Sequence, residues 1–277
     1  MTFERKDIVI EGFRAAYWEK GVDQAQTIVI IHGFPGNHSG LIDVARHLDG
    51  YHVILIDLPA CGESEALATK HCIINYADWL NEFLRENKIE HPIIVGHSFG
   101  GRVAMQFAVK YPQAVERLIL LMPVIAADGL VTKVGLNIAG VLPNSLRVKI
   151  AKSKTYQYFL SHLLIKSSNS TKRHELYDAN MKEVSHLEPR AFTEISDEVL
   201  TKDISSLASQ VAIPTLVVAG GSDEIATTKS LRKLTSKIPN SSWRLIPNTG
   251  HVLPFEEPEH VADLIKSWLT LSYTNHA

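Results

Sequence analysis

The sequence predicts an α/β fold, a mostly parallel sheet with helices on both faces, interrupted once by an all-helical insertion. Three observations predict it. Short, largely apolar runs at residues 27–31, 51–56, 92–95, 115–121 and 214–219 alternate with segments of helical period. Runs of that length without polar alternation suit strands covered on both faces, as in a parallel sheet between helix layers. The rhythm then stops between Pro123 and about Ala208, where no short buried strand appears and the pattern reads as successive helices. A structureless connection of that length is improbable in a compact domain.

The elements follow in order. Ile8, Ile10, Phe13, Ala15 and Tyr17 alternate well enough for a β-hairpin near the N-terminus. Residues 38–48 read as a short helix after the first buried strand. Residues 74–87 place Tyr76, Trp79, Leu80, Phe83 and Leu84 on one helical face. Another helix-like run begins at Gly101. Gly140, Pro143, residues 166–171 and Pro189 punctuate the insertion. After the strand at 214–219, a helix over 227–237, a strand over 242–246 and a closing helix over 258–271 complete the chain. The expected division is a core of residues 1–122 and 209–277, with an inserted helical unit at 123–208.

Bulk properties narrow the function. The 277 residues suffice for one large domain, and 45% apolar with 21% charged residues is ordinary for a globular protein. A net charge of −2 supplies no basic stripe, so nucleic acid is not an expected partner. No apolar run reaches the ~18 residues that span a bilayer. The charged N-terminus leads straight into strand-like sequence, and Cys61 and Cys72 have neither redox nor metal spacing. A cytoplasmic protein with free thiols and no bound metal or cofactor is the expectation; oligomeric state stays open.

The chemistry concentrates at strand ends. Gly96-His97-Ser98-Phe99-Gly100 stands where a buried strand meets a helix, the setting of a nucleophile elbow. Glycines two residues either side of Ser98 permit a turn too tight for side chains. Further turns follow other strands: His32-Gly33-Phe34-Pro35-Gly36, a segment from Asp57 to Ser64, Gly220-Gly221-Ser222-Asp223, and Asn248-Thr249-Gly250-His251. Strand C-terminal ends are where open α/β sheets build their sites.

On these motifs the chain resembles the α/β-hydrolase fold family, in particular its serine-nucleophile members with a helical cap (esterase- and lipase-like). The resemblance spans essentially the whole length and is weakest in the insertion. It implies an eight-stranded sheet and a catalytic order of nucleophile, acid and histidine, which falls on Ser98, Asp223 and His251. Glu224, Asp197 and Asp203 are competing acids. By the same resemblance, the backbone N–H groups of Phe34 and Phe99 form the oxyanion hole; Pro35 has no N–H to offer. In the turn from Asp57 to Ser64 the family usually carries glycine where this chain has Ala60, and Asp57 reads as structural. Cys61 reads as a bystander, and His97 as packing or turn structure.

Such a site acts on acyl groups. A neutral serine hydroxyl needs a base within reach, and only neutral imidazole serves, so activity is expected to rise with pH as His251 deprotonates. The expected ligand is a small-molecule acyl ester in a pocket lined by Phe34, Phe99, Val252, Leu253, Tyr156 and Phe159. Leu136, Leu142, Leu146, Tyr158 and Leu163 also face either that pocket or the core. Lys133, Arg147, Lys149, Lys152 and Lys154 form a basic stretch that reads as a solvated face. Carboxylic ester hydrolysis, thioesters and lactones included, is the favoured reading. Carbon–carbon cleavage of ring-fission products is an alternative, although relatives of that kind usually carry tryptophan after the histidine, where this chain has Val252. Acyl transfer, haloperoxidase-like activity and a silent binding protein complete the alternatives. Halide and epoxide chemistry is disfavoured, because family members of those kinds use a carboxylate at the position of Ser98.

Overall fold

Eight strands form one sheet in the order β1-β2-β4-β3-β5-β6-β7-β8 in the computed structural model, which describes residues 2–24, 26–126, 142–166 and 170–274. The strands are β1 (Glu4–Ile10), β2 (Phe13–Lys20), β3 (Thr27–Ile31), β4 (His52–Ile56), β5 (Ile93–His97), β6 (Arg117–Leu121), β7 (Thr215–Gly220) and β8 (Ser241–Ile246). The N-terminal hairpin joins antiparallel, β1 on β2 and β2 on β4; every pairing from β4 through β3 to β8 is parallel. The expected eight-stranded, mostly parallel sheet is the one found. All of β6 and β7 is buried, as is nearly all of β3, β4 and β5. Branched apolar side chains packed on both faces account for the apolar runs in the sequence.

Helices cover the sheet. The expected helix at 38–48 is divided: a 3₁₀ turn at His38–Gly40, capped by the Asn37 side chain, precedes α1 (Ile42–Arg46). Helix α2 (Ile73–Glu86) buries the predicted stripe of Tyr76, Trp79, Leu80, Phe83 and Leu84. Helix α3 (Phe99–Lys110) starts directly after Ser98. Between β6 and β7 the described residues form α4 (Asn144–Ala151), α5 (Lys154–Leu164), α6 (Ser170–Ser185) and α7 (Pro189–Thr201). Pro143 stands at the N-terminus of α4. The Glu188 carboxylate caps α7 by accepting from the N–H groups of Arg190 and Ala191. Gly140, Lys133, Leu136 and residues 167–169 of the 166–171 break lie outside the described residues. Helices α8 (Thr228–Thr235), α9 (Leu253–Glu256) and α10 (Pro258–Thr274) close the chain. No described helix is long and apolar enough to cross a membrane.

One buried cation marks where the chain leaves the sheet and returns. Arg102 of α3 is fully buried and donates to the carbonyls of Val124 (2.8 Å) and Ile125 (3.1 Å) on the outgoing chain. It also donates to the carbonyls of Glu198 (3.1 Å) and Lys202 (2.8 Å) at the end of α7. Burial pushes its pKa down to about 10, so it remains a cation at neutral pH.

Candidate active site

The strand-to-helix turn at Ser98 is strained for a steric reason. Ser98 has φ +53° and ψ −113°, a conformation costing about 1–3 kcal/mol for a residue with a side chain. The turn closes so tightly that a Cβ on Gly96 would lie 2.5 Å from the Gly100 carbonyl oxygen. One on Gly100 would lie 2.4 Å from the carbonyl oxygens of Ile31 and His32. Only glycine fits at both places. The result holds the Ser98 hydroxyl above the C-terminal edge of the sheet.

The histidine and the acid arrive from later loops. Ser98 Oγ lies 2.8 Å from His251 Nε2, and His251 Nδ1 lies 2.8 Å from Asp223 Oδ2. All three residues are buried, at 6–7% exposure. A carboxylate can only accept, so Nδ1 carries the imidazole proton and Nε2 is left to accept from the serine hydroxyl. Burial pushes the Asp223 carboxyl up, but the charge and hydrogen bond of His251 outweigh it. The N–H groups of Ala226 and Ile225 add to that effect, and the net pKa is below the usual carboxylate value. The competing acids are engaged elsewhere: Glu224 with Lys166, Asp197 with Arg147, and Asp203 with the Ser205 N–H.

The loop after β3 packs directly on the serine. A Cβ on Gly33 would fall 3.1 Å from Ser98 Cβ, so Phe34 follows immediately beside the hydroxyl. Buried His32 fixes this loop by donating from Nδ1 to the Gly33 carbonyl (2.6 Å) and accepting at Nε2 from the Leu58 N–H (3.0 Å). Burial lowers its pKa, which keeps it neutral. Phe99 is the first residue of α3, where backbone N–H groups have no partner within the helix. Asp57 lies away from this centre; its carboxylate accepts from the N–H groups of His38 (2.7 Å) and Glu63 (2.9 Å). Ala60 adopts φ +65°, a left-handed conformation that favours glycine. Burial pushes the Cys61 thiol well up, which leaves it a poor nucleophile.

A cavity of about 950 Å³ opens above Ser98 and His251. Of the residues expected to line it, Phe34, Phe99, Val252, Tyr156 and Phe159 do, together with Leu142 and Leu163. Leu253 does not. It is the first residue of α9, and its side chain turns inward and is completely buried in the core, while Val252, Pro254 and Phe255 face the cavity. Tyr158 points to solvent, 60% exposed, and Leu146 is also exposed. Leu160, Leu176, Phe192 and Val199 extend the apolar wall. Lys149 and Lys154 are solvated as read from the sequence, whereas Arg147 lines the cavity and pairs with Asp197 (2.7 Å).

Residues 26–258 match the sequence pattern of the alpha/beta hydrolase fold family. The chain belongs to that family. This α/β hydrolase is 28% identical to Lipase 1 of Psychrobacter immobilis over 94% of its own length and 82% of the lipase. It is 27% identical to 2-hydroxy-6-oxononadienedioate/2-hydroxy-6-oxononatrienedioate hydrolase 2 of Pseudomonas putida, over 88% of each chain. Its fold superposes on a thermophilic esterase from Thermogutta terrifontis with a TM-score of 0.79 at 23% identity, covering 96% of this chain and 98% of the other.

Three features of the hydrolase's site escaped the sequence reading. His97 Nε2 donates to the His251 carbonyl (3.0 Å), Arg102 gathers four carbonyls, and Glu256 accepts from the Gly250 N–H (2.6 Å). Arg102 had a signal, a charge set among the glycine and apolar residues that open its helix. Glu256 had none, since acids are common in the residues just before and at the start of a helix.

Proposed function

We propose that this esterase- and lipase-like α/β hydrolase cleaves carboxylic esters of apolar acyl groups, with Ser98 as nucleophile, His251 as base and Asp223 as its orienting acid. The observation that carries the reading is the pair of 2.8 Å contacts running from Ser98 Oγ through the imidazole to Asp223 beneath an apolar cavity. In this reading residues 123–208 are a cap over a core made of residues 1–122 and 209–277.

Ser98 Oγ attacks the ester carbonyl carbon while its proton passes to His251 Nε2. The carbonyl oxygen becomes an oxyanion and takes hydrogen bonds from the backbone N–H groups of Phe34 and Phe99, each worth about 3–4 kcal/mol of barrier. The imidazolium, stabilised by Asp223, returns the proton to the departing alkoxide, leaving an acyl-enzyme. Water then repeats the sequence, with His251 taking its proton, and Ser98 is released with the acid. A cavity of about 950 Å³ stands at the upper end of ordinary ligand sites and suits a bulky or extended acyl group.

The relative acting on ring-fission products favours a second reading, carbon–carbon bond hydrolysis by the same three residues. A panel of p-nitrophenyl esters of increasing chain length, run beside a 2-hydroxy-6-oxo-dienoate, separates the two. The expected result is ester turnover that favours longer chains, with Ser98 carrying the adduct of a fluorophosphonate. Dienoate cleavage without ester turnover would replace the first reading with the second. Absence of any Ser98 adduct would overturn both.

A further inference from the structure

The backbone around His251 is held from outside its own loop. The His251 N–H donates to the Leu164 carbonyl at the end of α5 (3.0 Å), and the His251 carbonyl accepts from His97 Nε2 (3.0 Å). Just before it, the Gly250 N–H donates to Glu256 Oε1 (2.6 Å). The other oxygen of the same carboxylate, Oε2, accepts from the Lys166 N–H (3.1 Å). Loop and helix end lie so close that a Cβ on Gly250 would be 2.2 Å from the Leu164 oxygen. Glu256 is 2% exposed. Lys172 of α6 donates to the carbonyls of Phe255 and Glu256, and Lys166 Nζ reaches Glu224 beside Asp223 (2.7 Å).

A carboxylate is the group this arrangement requires. Two backbone donors, one from each chain segment, converge on two oxygens. A carboxylate accepts at both, whereas an amide of the same length would turn an NH₂ toward one of the N–H groups. Residue 256 lies one short helix beyond His251, so its side chain folds back over the loop that it follows. The backbone segment that carries the imidazole is therefore bonded on one side to the end of α5 and on the other to α9.

We propose that Glu256 is a positioning residue: by clamping Gly250 to Lys166 it holds His251 within reach of Ser98, and the docked end of α5 thereby completes the reaction centre. The inference rests on the reading of Ser98 and His251 as nucleophile and base. Displacement of a reacting group by an ångström costs up to about 100-fold in rate.

The test uses Glu256→Gln in the full chain with a p-nitrophenyl ester. It reads kcat, KM and the rate of Ser98 labelling by a fluorophosphonate, all at a temperature well below the variant's own Tm. Glu256→Gln is expected to lower kcat and the labelling rate together by about 10- to 100-fold while KM changes little. A lowered Tm with wild-type kcat and labelling would make the residue merely structural and overturn the proposal, as would a raised KM at unchanged kcat. Should Glu256→Gln not fold, Glu256→Asp, a methylene too short to reach both donors, carries the same expectation. Ser98→Ala is run in parallel: full turnover there would reject the underlying function, a result separate from the Glu256 outcome.

Discussion

The sheet and the helices between β6 and β7 are held by different forces. The central strands bury nearly every side chain, and each buried Ile, Val or Leu contributes roughly 1.5–3 kcal/mol. Helix α4 buries only Ala151, and α5 only Gln157 and Ser161. Helix α7 adds Ala191 and Ile195 to the apolar core, and the rest of that region is fastened mainly by polar side chains reaching backbone groups of the core, or the reverse. Arg102 binds the chain just after β6 and the end of α7. Arg190 donates to the carbonyls of Ala68 and Leu67, Glu194 accepts from the His71 N–H, and Glu183 accepts from the Gly62 N–H. Apolar packing is tolerant of exchange within a volume, whereas directed hydrogen bonds fix one docking geometry. The difference teaches that the core sets the reaction centre by packing and the helical region completes its surroundings by addressed contacts.

The contrast can be tested by variants, beginning with the largest effect. Ser98→Ala should abolish ester turnover, on the order of 10⁶-fold in kcat, with an unchanged unfolding transition. Asp223→Asn should lower kcat by about 10⁴-fold, because an amide no longer selects the Nδ1–H tautomer; steady-state kinetics read both. Arg102→Met strands four buried carbonyls and should cost roughly 3 kcal/mol in urea unfolding, while turnover per folded molecule survives.

A pH effect comes next. Burial and the neighbouring His251 lower the His97 pKa from the ordinary 6.5 to about 4. Unfolded His97 takes a proton below about 6.5 while the folded residue does not, so stability falls as pH drops from 6.5 toward 4. His97→Asn should show a smaller loss of urea midpoint between pH 7 and pH 5; it should not vanish, because buried His32 shares the direction. An identical loss would show that His97 carries none of it. The smallest effect is Ala60→Gly. Relief of a left-handed alanine, about 1–2 kcal/mol, exceeds the added entropy of glycine, about 0.5–1 kcal/mol. Thermal unfolding should show about 0.5 kcal/mol of added stability.

The core was readable in the residues because buried parallel strands leave an unambiguous trace, and every expected strand lies within two residues of its place. Ser98, Asp223 and His251 were each marked by a glycine-flanked turn after a strand, and the fold brings those turns together. Leu253 was misread because adjacency to His251 does not say which way a side chain turns, and the short helix that begins at Leu253 points it into the core. Glu256, the carbonyl partners of Arg102 and the Leu164 carbonyl were unreadable for another reason. These contacts reach backbone groups 6 to 100 positions away, and a backbone N–H or carbonyl has no sequence signature.

The outgoing and returning chain of the helical region between β6 and β7 meets on a single guanidinium. An excursion that starts and finishes at one point can be lengthened, shortened or replaced without re-threading the sheet. One of its contacts reaches His251 itself: the Leu164 oxygen accepts from that residue's backbone N–H.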